Sequence, residues 1–178
     1  MALRSAPTVK LSTKLTTRDF LQGVREGLET RLTGDLADAS SRIVFSSLQW
    51  HYGDPRLHYE VAPVRKTGRM EIGLHMEGAH DWSRGVAMRL AAHADEIRGC
   101  LGPTYELEEW TAAWCRLHQT MLLKRLTDDL AADTADRLAV LVTSVEPILR
   151  SLELSDLPGP SAPGRGGPRK KWGRRRRS

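Results

Sequence analysis

Alternation of apolar and polar residues in two neighbouring segments constrains the fold of this 178-residue chain more than any other feature. The segments are LHYEVAPV, from Leu57 to Val64, and MEIGLHMEG, from Met70 to Gly78, and a turn-prone RKTGR stretch joins them. Because successive side chains of a β-strand point to opposite faces, this pattern predicts an antiparallel hairpin with one apolar and one polar face. Pro63 cannot donate a ladder hydrogen bond, which predicts an edge position or a bulge there.

Helical periodicity flanks this hairpin on both sides. A first helix is predicted to begin near Thr16, and a second to run from about 81–83 to the Gly-Pro pair at 102–103. Thr127 is expected to cap a last helix, which Pro147 should kink or split because proline lacks the backbone N–H.

Three further segments have the composition of strands. RIVFSSLQWHY (42–52) is rich in β-branched and aromatic residues and is predicted to be one strand, and TYELEEW and TAAWCRLHQTM (104–121) predict two more. The resulting order is α-β-β-β-α-β-β-α with short connections. We therefore predict an α+β fold, with an antiparallel sheet of about five strands and the helices packed on one face.

Composition sets the expected domain boundaries. The stretch PGPSAPGRGGP has eight Pro or Gly in eleven residues, so it is predicted to be a linker rather than a helix. We expect a flexible basic arm over 1–16, one α+β domain over 17–153, and a disordered linker and basic tail over 154–178. No segment predicts a secretory signal or a membrane span, so a cytoplasmic location is expected.

Charge is distributed unevenly along the chain. Residues 158–178 carry eight Lys or Arg and no acid, whereas residues 19–157 carry fifteen bases and twenty-two acids. A cationic tail favours a polyanion without regard to base sequence, and Trp172 could stack on an unpaired base; DNA, RNA, an anionic membrane surface and a purely solubilising role all stay open. The residues predicted to bind nucleic acid are Arg165, Arg169, Lys170, Lys171, Trp172, Arg174, Arg175, Arg176 and Arg177.

The polar face of the sheet is the second candidate site. If the helices cover the apolar face, carboxylates, imidazoles, an indole and a guanidinium share an open surface that could bind a protein partner or a second copy of the chain. The alternative is an ordinary solvated face of cross-strand ion pairs. The predicted partner-binding residues are His58, Glu60, His75, Glu77, Trp114, Arg116 and His118.

Catalytic motifs are not found in the sequence. It has no HExxH, Walker loop, GxGxxG or GxSxG, and its two cysteines, Cys100 and Cys115, predict neither a disulfide framework nor a zinc site. We predict no catalytic residue, no cofactor and no metal site. A metal-dependent enzyme using His75, Glu77 and His118 is kept as an alternative, because two imidazoles and a carboxylate form a known metal-ligand set.

The segments LHYEVAPV to MEIGLHMEG, CLGPTYELEEW and VEPIL carry two resemblances. Their element order resembles the type III secretion chaperone-like fold, which implies a small, non-enzymatic and often dimeric protein that binds protein partners. They are also similar to an uncharacterised bacterial domain that accompanies restriction-type DNA enzymes, which implies a nucleic-acid context.

Together these features predict a non-enzymatic adaptor, dimeric and cytoplasmic. Its acidic body would bind a protein partner or itself, and its basic tail would bind nucleic acid without sequence specificity. A chaperone-like module with no role on nucleic acid is the alternative.

Overall fold

Six β-strands form the centre of the computed structural model, which describes residues 13–158. In chain order they are β1 (Ser40–Val44), β2 (Ser47–His51), β3 (Leu57–Val64), β4 (Arg69–Met76), β5 (Glu106–Glu109) and β6 (Cys115–Leu122). They make one antiparallel sheet in the spatial order β1-β2-β3-β4-β6-β5. Four helices accompany the sheet: α1 (Thr17–Glu29), α2 (His80–Ala91), α3 (Ala94–Leu101) and α4 (Asp128–Ser151). The predicted α+β class with an antiparallel sheet is confirmed.

Side-chain caps fix the start of two helices where the sequence predicts them. The hydroxyl of Thr16 accepts a hydrogen bond from the backbone N–H of Asp19 at 3.1 Å, and that of Thr127 accepts one from Leu130 at 3.2 Å. Each cap satisfies a backbone donor that the first turn of a helix leaves free.

Two helix predictions need correction. The predicted second helix is two helices, α2 and α3, interrupted at Ala92 and His93, where no glycine or proline marks the break. In contrast, Pro147 does not split α4, which is continuous over 24 residues.

The first predicted strand is a hairpin of two strands, so the sheet has six strands and not five. Val44 pairs with Ser47, which leaves Phe45 and Ser46 as a two-residue turn. Phe45 has a φ of 52° and its side chain is fully exposed. Such turns normally use Asn, Asp or Gly, since a positive φ is unfavourable for a bulky residue.

The helices cover the apolar face of the sheet and form a single core with it. Tyr59 and Val61 of β3 and Ile72 and Leu74 of β4 are buried there. The helices contribute buried side chains to the same core: Phe20, Leu21, Val24, Leu28, Trp82, Val86, Leu90, Ile97, Leu138, Leu141, Val142 and Val145. The pattern of alternation therefore places the correct residues of the hairpin in the core.

Ordered packing extends beyond both expected domain boundaries. The backbone N–H of Leu15 donates to the carbonyl of Leu126 at 2.9 Å, and Leu15 packs against the core. At the other end Leu157 packs against Gly85, and Arg89 pairs with Asp156 at 2.7 Å. The packed body thus begins before residue 17 and continues past residue 153. Within residues 13–158, no helix combines the length and the apolar character needed to span a bilayer.

Candidate functional site

Polar side chains form regular rows across this face of the sheet, because the cross-strand register aligns polar residues on neighbouring strands. His58 lies opposite His75, which lies opposite Arg116, which lies opposite Glu108. The adjacent row crosses all six strands through Arg42, Gln49, Glu60, Gly73, His118 and Glu106. We name the ionisable side chains on β3 to β6 that occupy this face and contact one another the polar cluster: His58, Glu60, Glu71, His75, Glu108, Arg116 and His118.

Gly73 is at the centre of the polar cluster and determines its geometry. Glu71 and His75 are four residues apart on β4, a separation of about 13 Å along an extended strand. Nevertheless His75 Nε2 lies 2.9 Å from Glu71 Oε1, since Gly73 between them has no side chain. A Cβ at Gly73 would lie 2.7 Å from the Cβ of His118, so the position has no room for another residue.

His75 is bonded through both of its ring nitrogens. Nε2 contacts Glu71, and Nδ1 lies 3.3 Å from Glu77 Oε1. Burial lowers the pKa of His75, but the hydrogen bonds to the two carboxylates outweigh it and raise the pKa to about 9. His75 is therefore an imidazolium ion at neutral pH.

Arg116, on β6, joins carboxylates of the two neighbouring strands, β4 and β5. It donates to Glu71 Oε2 at 2.7 Å and, through Nε and Nη2, to Glu108 Oε1 at 2.9 and 2.6 Å. These hydrogen bonds lower the pKa of Glu108. Its guanidinium also stacks on the ring of Trp110, 4.9 Å from the centroid. The charged groups of the cluster are thus satisfied largely by one another.

This mutual contact corrects the expectation that all of these residues lie on an open surface. His58, His75 and His118 are only 1%, 3% and 7% exposed, although they lie on the face opposite the helices of the described chain. Side chains on neighbouring strands and Trp110, whose ring centroid is 5.5 Å from that of His75, exclude water from them. A role of these residues in binding a protein partner stays a prediction.

Of the other predicted partner-binding residues, Glu60, Glu77, Trp114 and Arg116 are partly buried. Trp114 packs against Trp110 with 5.8 Å between ring centroids. Trp110 is the more exposed indole, at 37%, and the sequence analysis assigned it no function. Its position in the turn between β5 and β6 is the signal that could have identified it.

His118 is an exception to the mutual satisfaction of the cluster. Neither of its ring nitrogens has a hydrogen-bond partner among the described residues. Nε2 lies 3.0 Å from Glu108 Oε1, and Nδ1 lies 3.9 Å from Glu71 Oε2. Burial, together with the charge of Arg116, lowers the pKa of His118.

The alternative metal set of His75, Glu77 and His118 is not among the groups of residues 13–158 whose ligand atoms lie within 4.8 Å of one another. Both ring nitrogens of His75 are already bonded to carboxylates. Within residues 13–158, two other groups bring candidate ligand atoms within 4.8 Å of one another: His58, Glu60 and His75, and Glu106, Glu108 and His118.

A second feature is a concentration of positive charge at one end of the sheet. Hydrogen bonds join three segments there: Arg65 donates to Thr17 at 2.9 Å, Leu123 to Gly68 at 2.8 Å, and Leu15 to Leu126 at 2.9 Å. These segments carry seven exposed bases, which we name the basic end: Lys14, Arg18, Arg65, Lys66, Arg69, Lys124 and Arg125. The sequence analysis missed this site because its members are scattered along the chain.

A pocket of about 350 Å³ connects the basic end to the polar cluster. Arg69 lies on one side of it, and Trp110 and Arg116 lie on the other. Thr67 and Thr120 add hydroxyl groups, and Arg69 donates to the Thr120 hydroxyl at 3.0 Å. Glu71 also lines it, so the pocket combines guanidinium, indole, hydroxyl and carboxylate groups.

The nine residues predicted to bind nucleic acid, from Arg165 to Arg177, lie outside the described residues. No protein-family model matches the chain, and comparisons with curated proteins and with solved structures give no significant match. The two resemblances proposed from element order therefore stay predictions.

Proposed function

We propose that this protein is a non-enzymatic nucleic-acid-binding protein that engages the phosphate backbone through the basic end of its folded body and through its cationic tail. The observation that supports this best is the collection of seven exposed bases, from separate parts of the chain, at one end of the sheet. An isolated charged residue on a surface has no functional meaning, but a cluster of one sign focuses the electrostatic field on an oppositely charged partner.

The charge contrast within the body strengthens this proposal. Residues 13–158 carry 17 Lys or Arg and 22 Asp or Glu, a net charge of −5, yet seven of those bases lie at the basic end. The exposed acids in the same region are those in the first turns of α1 and α4: Asp19, Asp128 and Asp129. The basic end thus has the opposite charge to the acidic remainder of the body, and a polyanion would approach it preferentially.

Aromatic groups beside the basic end favour nucleic acid over a simple anion. Phe45 is at the tip of the β1–β2 turn, and because Leu48 pairs with Val61, that tip lies at the same end of the sheet as the β3–β4 turn. Trp110 borders the adjoining pocket. Stacking of unpaired bases on such rings adds affinity that tolerates any base sequence. A single strand is therefore the form of nucleic acid that we expect to bind most tightly.

The salt dependence of binding tests this proposal. Full-length Lys66→Gln/Lys124→Gln removes two charges from the basic end. On loss of two phosphate contacts, the slope of log K against log salt concentration should become shallower by about 1.4 on single-stranded and about 1.8 on double-stranded probes. Fluorescence anisotropy with labelled oligonucleotides between 50 and 200 mM salt measures the slope.

The matched control is Arg98→Gln/Arg137→Gln, which removes two exposed charges from α3 and α4, away from the basic end. It should leave the slope unchanged. An equal effect of the two double variants would show that net charge alone drives binding, and would refute a site at the basic end.

A third variant, Arg174→Gln through Arg177→Gln, measures the contribution of the tail to binding separately from that of the body. If both regions contact one strand, combining it with the Lys66/Lys124 pair should weaken binding by more than either set alone, because linked contacts raise the effective concentration. Binding of anionic phospholipid vesicles without any binding of oligonucleotides at 50 mM salt would contradict the proposal and indicate a membrane surface instead.

A further inference from the structure

The β5–β6 edge of the sheet brings one imidazole and two carboxylates together on the polar face. Glu106 is paired directly with His118 across the two strands, and Glu108, two residues further along β5, projects to the same face. Each of the three offers a ligand atom within 4.8 Å of the others. β5 is the outermost strand and Glu106 is exposed, so an ion could reach this group from solvent.

His118 gives an independent indication of a missing ligand. Only 7% of its surface is exposed, yet neither ring nitrogen has a hydrogen-bond partner within residues 13–158. Buried polar groups almost always have a partner, and an exception is expected where a water or an ion completes the site. The imidazole therefore offers one free ring nitrogen to the group that it forms with Glu106 and Glu108.

The spacing of the ligand atoms is compatible with an ion. His118 Nε2 lies 3.0 Å from Glu108 Oε1 without hydrogen-bond geometry. Two ligands that each lie about 2.1 Å from one ion are separated by about 3.0 to 3.4 Å, depending on whether the angle between them is octahedral or tetrahedral. Arg116 donates both of its hydrogen bonds with this carboxylate to Oε1, which fixes the position of Glu108 and leaves Oε2 free of Arg116.

The neighbouring group of His58, Glu60 and His75 lacks these properties. Both ring nitrogens of His75 already contact carboxylates, those of Glu71 and Glu77, so His75 has no free ligand atom. His58 uses its Nδ1 on the carbonyl of Pro55 at 2.9 Å, which leaves only its Nε2 without a partner. Of the two groups found within residues 13–158, the outer one has an imidazole with neither nitrogen bonded and a carboxylate, Glu106, that is exposed to solvent.

We propose that Glu106, Glu108 and His118 bind one divalent transition-metal ion at the β5–β6 edge. One imidazole with two carboxylates suits Zn²⁺ or Mn²⁺, since nitrogen ligands favour the former and oxygen ligands the latter. An ion bridging β5 and β6 would fasten the outermost strand, which is only four residues long, to the sheet. The site lies apart from the basic end and does not depend on the proposed nucleic-acid function.

Metal titration of the full-length protein tests this site. After treatment with a chelator and its removal, Zn²⁺ or Mn²⁺ is added at pH 7 without nucleic acid, and binding is measured by calorimetry together with the rise in the thermal midpoint. We expect one ion per chain. Glu106→Gln, an exposed substitution that should not disturb folding, should weaken binding at least tenfold and reduce the rise in the midpoint.

His118→Gln should abolish binding. If His118→Gln fails to fold, Glu106→Gln still tests the site. The matched control is His80→Gln/Asp81→Gln, which removes an exposed imidazole and carboxylate at the start of α2 that lie 2.9 Å apart. It should bind the ion as the unsubstituted protein does. No uptake of either metal, or the same affinity in Glu106→Gln as in the control, would overturn the proposal.

Discussion

Gly73 shows how much of the polar face depends on one residue. Its missing side chain allows Glu71 and His75 to meet above the strand and allows His118 to lie close on β6. The sequence analysis assigned His75 and His118 to this face correctly from their alternation. It expected them on an open surface, because burial of an outward side chain depends on its neighbours on other strands, and strand order cannot be read from the alternation.

Gly73→Ala should destabilise the protein by about 1–3 kcal/mol, a typical cost of overpacking. The added Cβ would lie 2.7 Å from the Cβ of His118 and 2.9 Å from the carbonyl oxygen of Leu117. Chemical denaturation measures the free energy of unfolding. Gly99→Ala in α3 is the matched control: its Cβ meets nothing within 4 Å, so the better helix propensity of alanine should stabilise the protein by up to about 1 kcal/mol. Equal effects would show that the crowding at Gly73 is absent.

The stability of the protein should also depend on the protonation of His75. Its pKa is raised from 6.5 to about 9 in the folded state, so its contribution is fully present below about pH 6.5 and is lost as the pH rises through 9. The loss is at most about 3 kcal/mol. The lowered pKa values of Glu60 and Glu71 act in the acidic range and do not affect this window.

Thermal unfolding between pH 6.5 and 9.5 measures this effect. The midpoint should fall with rising pH in the unsubstituted protein and much less in His75→Gln. His80→Gln, at an exposed position, should retain the full pH dependence. Parallel curves for all three proteins would contradict a stabilising imidazolium ion at position 75.

Among the helices of the described chain, α1 and α4 make the most extensive contact, through small residues on both. Gly23 faces Ala131 and Gly27 faces Ala135, each pair one helical turn from the other. At Gly27 an added Cβ would lie 2.9 Å from that of Ala135, whereas at Gly23 the corresponding distance to Ala131 is 3.4 Å. The helices therefore converge toward the C-terminal half of α1.

This convergence predicts opposite effects of two similar substitutions. Gly27→Ala should destabilise by about 1–2 kcal/mol, because overpacking exceeds the gain in helix propensity. Gly23→Ala should be neutral or stabilise by up to about 1 kcal/mol, because its Cβ contact is close to ordinary van der Waals distance. Denaturant unfolding of the two variants distinguishes them, and a stabilising Gly27→Ala would show that the helices can separate at little cost.

Local sequence signals predicted the starts of the helices in which they occur. Thr16 and Thr127 have hydroxyls suited to caps, and both cap a helix. The turn at Phe45 was missed because neither turn residue is Gly, Asn, Asp or Pro. Proline at 147 suggested a break that tertiary packing prevents: Leu141, Val145 and Ile148 on both sides of it are buried in the core. Local residue propensity thus predicted the ends of helices better than the interruptions within helices and strands.

At the scale of the whole molecule, the charge pattern was only partly predictable. The basic composition of the tail is visible in the sequence, but the basic end is assembled by the fold from three segments between Lys14 and Arg125. The two carboxylates of β5 were likewise overlooked, because Glu106 and Glu108 acquire their meaning only from pairing with His118 and Arg116. Sites built from distant segments require the strand order, which the sequence pattern does not contain.

The position of α4 determines where the two cationic extensions leave the body. Leu15 contacts Leu126 just before α4 begins, and Leu157 packs on α2 a few residues after α4 ends. The described chain thus enters the body beside the first turn of α4 and leaves it over α2, so both extensions begin at points fixed by packed helices and not by the edges of the sheet.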